Sequence, residues 1–148
     1  MPYILYLILA LLAGTMMPTQ TAINNKLATV VQSPVLSAFI SFAVGLVALF
    51  IFILASGISF NNLSYSKNAP PVAWLGGLCG AFFVTAVVTV VPRLGVALTF
   101  AILILGQMLA TLPIDHFGFL GLPVKEINFP RIIGVVLVIA GVLIIRRF

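Results

Sequence analysis

Residues 14–26 read Gly14-Thr15-Met16-Met17-Pro18-Thr19-Gln20-Thr21-Ala22-Ile23-Asn24-Asn25-Lys26, a polar run joined to an apolar one that is too short to stand alone. The apolar lead-in from Tyr3 to Ala13 has 11 residues, whereas a helix crossing the hydrocarbon of a bilayer needs about 20. A spanning helix must therefore take in the polar part. Run from Tyr3 to Ile23, it carries Thr15, Thr19, Gln20 and Thr21 to membrane depth and leaves Asn24, Asn25 and Lys26 at the headgroups. Polar groups without partners are costly in lipid, so this face should meet protein or water. Pro18 adds to the demand. It has no N–H for the Gly14 carbonyl and its ring crowds the preceding turn, which favours a kink. Two readings of the stretch stay open. Either the threonine hydroxyls bond back to their own helix and Gln20 caps a neighbour, or a broken polar helix lines a substrate cavity. Gln20 and Asn24, at i and i+4, share a face.

Composition sets the class. Of 148 residues, 63% are hydrophobic and 6% charged, whereas a soluble domain has about 25% charged. The chain reads as an all-α integral membrane protein. Its net charge of +5 comes from basic residues scattered one or two at a time between apolar runs, without the cluster that nucleic acid requires. The single cysteine, Cys79, excludes an internal disulfide and a cysteine-based metal cage, and its apolar setting reads as inert packing. No Lys or Arg precedes the first apolar run, so the N-terminus reads as a retained span rather than a secretory signal.

Five spans are expected in a single domain over residues 1–148, at about 3–31 (kinked at Pro18), 34–56, 72–91, 95–115 and 130–147. Ser33 and Pro34 are placed as N-cap and first helical residue of the second span. Ser37, Ser41 and Gly45 repeat along it at i+4, a small-residue stripe suited to close helix packing. Residues 56–71, rich in Ser, Asn, Gly and Pro, read as an external loop. The third span opens with Gly76, Gly77 and Gly80, and this half is expected to pack tightly. Pro92-Arg93-Leu94-Gly95 ends it and leaves a tight connection between antiparallel neighbours.

The fourth span holds the deepest polar side chain, Gln107, about 4 to 5 Å from the midpoint at the usual helical rise. Gln107, Thr111 and Asp115 share one face at i+4, unless Pro113 skews it. Asp115 and His116 bring an acid beside the only histidine, a pair able to shuttle protons or hold a cation, or to serve as an interfacial anchor or cap. Residues 119–129 read as a loop. The last uncharged run, Ile132 to Ile145, has 14 residues, so Arg131, Arg146 and Arg147 are expected to snorkel to the interfaces. Gly134 and Gly141, seven apart, mark a face for an oligomer contact or for packing within the chain.

Counting basic residues by side gives Lys67, Lys125 and Arg131, three, on the side of the N-terminus, against Lys26, Arg93, Arg146 and Arg147, four, on the other. So small a bias instructs orientation weakly. A chain inserted both ways would pair antiparallel into ten helices about an in-plane two-fold, the arrangement that many transporters build from inverted repeats in one chain.

Pro18-x-Gln20-x-x-x-Asn24-x-x-Leu27, then Ser33-Pro34, Ser41-Phe42-x-x-Gly45, Pro92-Arg93-Leu94-Gly95, Gly106-Gln107 and Asp115-His116-Phe117-Gly118, together resemble the YdcZ family of the drug/metabolite transporter superfamily. The resemblance runs over essentially the whole chain. It implies a small five-span protein of the bacterial inner membrane, half of an inverted-repeat transporter, working as an antiparallel homodimer or beside an oppositely oriented homologue.

The related small multidrug resistance proteins use a glutamate in their first helix to exchange protons for cations. The first span here has no acid, and Asp115 and Glu126 lie at span ends or loops, so that mechanism is not supported. A cavity lined by Gln20, Asn24, Ser41 and Gln107, with Thr111 beside it, would be neutral and hydrogen-bonding. It suits a small polar solute, uncharged or zwitterionic, or an anion drawn in by Arg93. Arg93, Asp115 and His116 are candidates for gating or ion linkage, and Gly76, Gly80, Gly134 and Gly141 for helix or dimer packing. No nucleophile has a recognisable base and no metal-ligand spacing or phosphate loop occurs, so neither an enzyme, a cofactor nor a metal is expected. A non-transporting subunit that stabilises a partner, and a passive channel, are the alternatives.

Overall fold

In the computed structural model, residues 2–147 are described; Met1 and Phe148 of the expected domain lie outside the described residues. All regular structure among the described residues is helical: α1 (Pro2–Val31), α2 (Pro34–Ala55), α3 (Leu75–Leu94), α4 (Val96–Phe117) and α5 (Phe129–Arg147), with short 3₁₀ segments at Phe60–Asn68, Pro71–Trp74 and Phe119–Gly121. Each of the five helices, α3 counted from Pro71, is long and apolar enough to cross a bilayer. The chain divides into two compact units, Met1–Pro92 and Arg93–Phe148.

In the first unit, α1 and α2 form a hairpin over a two-residue link. Gln32 adopts φ 54°, and the Ser33 N–H donates to the Ala28 carbonyl at 3.2 Å, which closes the end of α1 in the left-handed way usually given to glycine. Ser33 then starts α2, its Oγ accepting from the Leu36 N–H at 3.3 Å with Pro34 at the first helical position. Beyond the turn the helices touch through small and polar residues. Ser37 and Ala38 of α2 and Thr21 and Asn24 of α1 are all buried. Lipid offers no hydrophobic drive between helices, so close backbone approach and shared hydrogen bonds hold such a pair. The Ser37 hydroxyl donates to the Asn24 carbonyl at 2.7 Å.

α1 stays helical on both sides of Pro18. Three of its four threonines bond to their own helix: Thr15 Oγ1 donates to the Leu12 carbonyl, Thr19 to Thr15 and Thr29 to Lys26, at 2.7 to 2.8 Å. Thr89 of α3 does the same to Thr85.

Three features of this unit depart from expectation. Residues 56–71 are not a plain loop. Ser59 caps a 3₁₀ segment by accepting from the Asn61 N–H at 3.2 Å, and Phe60 lies 5.8 Å from the Phe50 ring, which ties the segment to α2. The α-helical part of α3 begins at Leu75, because Pro70 and Pro71 leave a 3₁₀ turn at Pro71–Trp74, and it runs past Pro92 to Leu94. A proline in the last turn frees one carbonyl and keeps a helical φ, so it does not end the helix there. Finally, the glycine half of α3 is open: residues 75–79 are exposed, Cys79 included. A side chain at Gly76 or Gly77 would meet nothing within 4 Å, and one at Gly80 would meet only the Phe42 ring, at 3.5 Å. The buried part of α3 is its other half, at Val87, Val88 and Val91.

In the second unit, Gly95 with φ 78° opens α4, and the buried Thr99 donates to its carbonyl at 2.6 Å. α4 passes through Pro113 and ends at Gly118, whose φ of 60° is left-handed and whose N–H donates to the Ile114 carbonyl. A Cβ at Gly118 would lie 2.8 Å from Val124 Cγ2 and 3.0 Å from the Leu122 carbonyl oxygen, so only glycine fits the corner. The chain returns through residues 119–128 and packs α5 along α4.

Candidate functional site

Each unit carries a cleft with polar residues in its lining. In the first, Gln20 of α1 faces Ser41 and Gly45 of α2 across a cleft of about 350 Å³ otherwise lined by Phe42, Leu46 and Leu49. The stripe of Ser37, Ser41 and Gly45 thus has two roles. Ser37 is fully buried against α1 near the turn, while Ser41 and Gly45 face the cleft, and a side chain at Gly45 would meet nothing within 4 Å. The helices are held together at Ser37 and part away from the turn.

One helical turn from Gln20, Asn24 is 3% exposed, and its Nδ2 is buried without a hydrogen-bond partner among the described residues. Asn25, by contrast, donates back to the Thr21 carbonyl at 3.0 Å. A buried amide left unmatched costs about 1–3 kcal/mol. Against the many side chains of this hairpin that are satisfied locally, Asn24 stands out as a donor with nothing to donate to.

The second cleft, about 410 Å³, lies between α4 and α5 and includes Thr111, Asp115, Arg131 and Gly134. Arg131 Nη2 meets Asp115 Oδ2 at 3.1 Å, with both side chains about one-third exposed, and Nη1 donates to the Lys125 carbonyl at 3.1 Å. The Lys125 N–H donates to the Asp115 carbonyl at 2.8 Å, and His116 Nδ1 accepts from the Ile127 N–H at 3.3 Å. Asp115 and His116 make no hydrogen bond to each other among the described residues; each holds a different part of the returning segment. With Nδ1 accepting, the neutral imidazole carries its proton on Nε2.

Sequence reasoning assigned Arg131 to snorkelling and missed its pairing with Asp115. Pro130-Arg131 at a helix start opposite an acid at the previous helix end was the available signal. Gln107 is exposed on α4, and the exposed Thr111 donates to the Met108 carbonyl at 3.2 Å. Arg93 is exposed in the last turn of α3, where a cation complements the helix dipole. Gly141 lines a separate apolar groove of α4 and α5, and neither Gly134 nor Gly141 has an atom within 4 Å of where a side chain would begin.

These features, five apolar helices carrying polar clefts, meet a family over nearly the whole chain. Residues 5–144 match the family described as "Putative inner membrane exporter, YdcZ". The chain belongs to the YdcZ family. It is also 28% identical over 105 residues to the inner membrane protein YdcZ of Escherichia coli (strain K12), an alignment covering 69% of this chain and 70% of the relative. No solved structure matches it. The YdcZ chain described here is a multi-pass inner membrane protein, and its family points to transport rather than to enzymatic chemistry.

Proposed function

We propose that this YdcZ chain is a transporter of a small polar solute, uncharged or zwitterionic, working as an antiparallel dimer, with export the direction its family's description favours. The buried, unmatched Nδ2 of Asn24 carries the reading. With Gln20 one turn away and Ser41 across the cleft, it supplies a neutral set of donors and acceptors for a solute bearing carbonyl, carboxylate or hydroxyl groups. The first unit holds no acid, so the pull on a hydrophobic cation that an embedded carboxylate exerts is missing there. Gln107, with Thr111 one turn further on, offers a second neutral patch, on α4.

Pairing is supported by two observations. The basic residues divide three to four between the sides, and the glycine half of α3 is open where small residues favour a partner helix. The partner is a second copy in the opposite orientation, or a homologue of opposite orientation.

The test is solute-dependent flux in liposomes containing the purified protein, with Asn24→Ala and Gln20→Ala beside it. Saturable movement of polar neutral or zwitterionic solutes, reduced at least tenfold by Asn24→Ala, is the expected result. Flux restricted to hydrophobic cations and indifferent to both substitutions would overturn it, and flux that never saturates would indicate a channel. Orientation is read separately by placing a cysteine at Asn62 in a Cys79→Ala background. An impermeant thiol reagent on intact cells is expected to label about half of the protein; labelling of all or none would exclude dual insertion.

A further inference from the structure

The cleft of the second unit differs in kind from the neutral one, because an ion pair stands at one end and its walls, Thr111 aside, are apolar. Asp115 is in the last turn of α4 and Arg131 in the first turn of α5, so both sit at helix ends, at the level where a spanning helix meets the headgroups. From there the walls run along Leu112 and Met108 of α4 and Val135 and Val138 of α5. Met108 and Val138 are each seven residues from the charged end, about 10 Å at the helical rise. The cleft is therefore a charged mouth at the interface, continued by an apolar slot running about 10 Å toward the middle of the bilayer.

The charges at the mouth are only partly used. Asp115 Oδ2 accepts from Arg131, and its Oδ1 has no hydrogen bond among the described residues. The guanidinium donates once to Asp115 and once to the Lys125 carbonyl, which leaves its Nε–H and a second N–H on each terminal nitrogen free to meet an anion. A carboxylate oxygen open to a cation and guanidinium donors open to a phosphate thus lie side by side. We infer that this cleft binds one zwitterionic aminophospholipid, of the phosphatidylethanolamine kind, with its phosphate on Arg131, its ammonium on Asp115 and the start of an acyl chain in the slot between α4 and α5. Charge complementarity selects this occupant. An anionic lipid without an ammonium leaves the Asp115 carboxylate facing like charge, and a choline headgroup has no N–H to donate to it. The site belongs to the second unit alone and does not depend on the transport reading.

The test uses the full-length protein, purified and stripped of lipid in a neutral detergent. Native mass spectrometry follows titration with phosphatidylethanolamine, phosphatidylglycerol and phosphatidylcholine of identical acyl chains, and with free O-phosphoethanolamine. The expected result is one phosphatidylethanolamine retained at least fivefold more tightly than either other lipid, with O-phosphoethanolamine bound at least tenfold more weakly. Asp115→Asn should abolish that preference and favour phosphatidylglycerol, since Arg131 loses its counter-charge. Gly134→Leu, a position with open space for a side chain, should fill the slot and weaken all three lipids about tenfold, and Val135→Phe serves as a second filling variant should Gly134→Leu fail to fold. Equal binding of the three lipids, a preference that survives Asp115→Asn, or filled variants of native helix content that bind as the parent does would each overturn the assignment. O-phosphoethanolamine bound as tightly as the lipid would overturn it in favour of a soluble zwitterion.

Discussion

Alanine at Gly118 tests how the α4–α5 corner is built, and its cost divides into two parts. The first is conformational. With φ at 60°, an L-residue pushes its Cβ toward the following carbonyl, at about 1–2 kcal/mol. The second is steric. The new Cβ falls 2.8 Å from Val124 Cγ2 and 3.0 Å from the Leu122 carbonyl oxygen, and crowding of this kind costs about 1–3 kcal/mol. Together they come to about 2–5 kcal/mol, or roughly a 30- to 4,000-fold rise in the population of an opened corner, at tenfold per 1.4 kcal/mol. Hydrogen exchange reads that population directly. The Lys125 amide is held by the Asp115 carbonyl and the Ile127 amide by His116, so peptides covering 118–128 should exchange faster by that factor in detergent micelles. Gly121 supplies the control. Its φ is 80°, but nothing lies within 4 Å of its missing side chain, so Gly121→Ala should show the conformational part alone. Adding Val124→Ala to Gly118→Ala should recover the side-chain share of the clash and leave the contact with the Leu122 backbone. Equal exchange in Gly118→Ala and Gly121→Ala, or no recovery from Val124→Ala, would refute the steric account.

The turn between α1 and α2 yields three further predictions. Gln32→Gly should stabilise the hairpin by about 1 kcal/mol, since Gln32 is exposed and held at φ 54°; unfolding in mixed micelles containing dodecyl sulfate measures it, and a loss of stability would show that the Gln32 side chain has a role of its own. Ser33→Ala removes the acceptor of the Leu36 N–H and should cost about 1 kcal/mol in the same assay. Ser37→Ala keeps the volume of the contact nearly constant while removing the bond to the Asn24 carbonyl, so its cost should be about 0.6 kcal/mol and no more than about 1.7; a larger loss would mean that the hydroxyl also positions Asn24.

Legibility from the sequence followed the range of the interactions. Helices and caps made by neighbours in sequence were readable: the apolar runs, Ser33-Pro34 as a helix start, and the option that threonines bond to their own carbonyls. Contacts made across space were not. Nothing local to residues 56–71 tells that Phe60 reaches the Phe50 ring, and so the segment reads as a plain loop. Arg131 and Asp115 are 16 residues apart, and only the left-handed turn at Gly118 brings their helix ends together. The glycines of α3 carry a packing signal without saying against what: among the described residues Gly76 and Gly77 face open space, and Gly80 faces only the Phe42 ring. Of the cleft residues, Gln20 and Ser41 were readable as polar positions in apolar helices, whereas their meeting depends on how far α1 and α2 part beyond Ser37.

The threonines of α1 have a consequence for how the helix looks to its surroundings. Thr15, Thr19 and Thr29 turn their hydroxyls onto carbonyls of their own helix and leave their methyl groups outward, so to a neighbouring acyl chain each resembles valine. Asn25 likewise directs its amide into the helix. A helix that is polar on paper is, at these positions, aliphatic toward its surroundings, and it keeps unspent hydrogen-bonding capacity at Gln20 and at the buried Asn24. A membrane helix of this kind tolerates lipid on most of its circumference and asks for company at one spot.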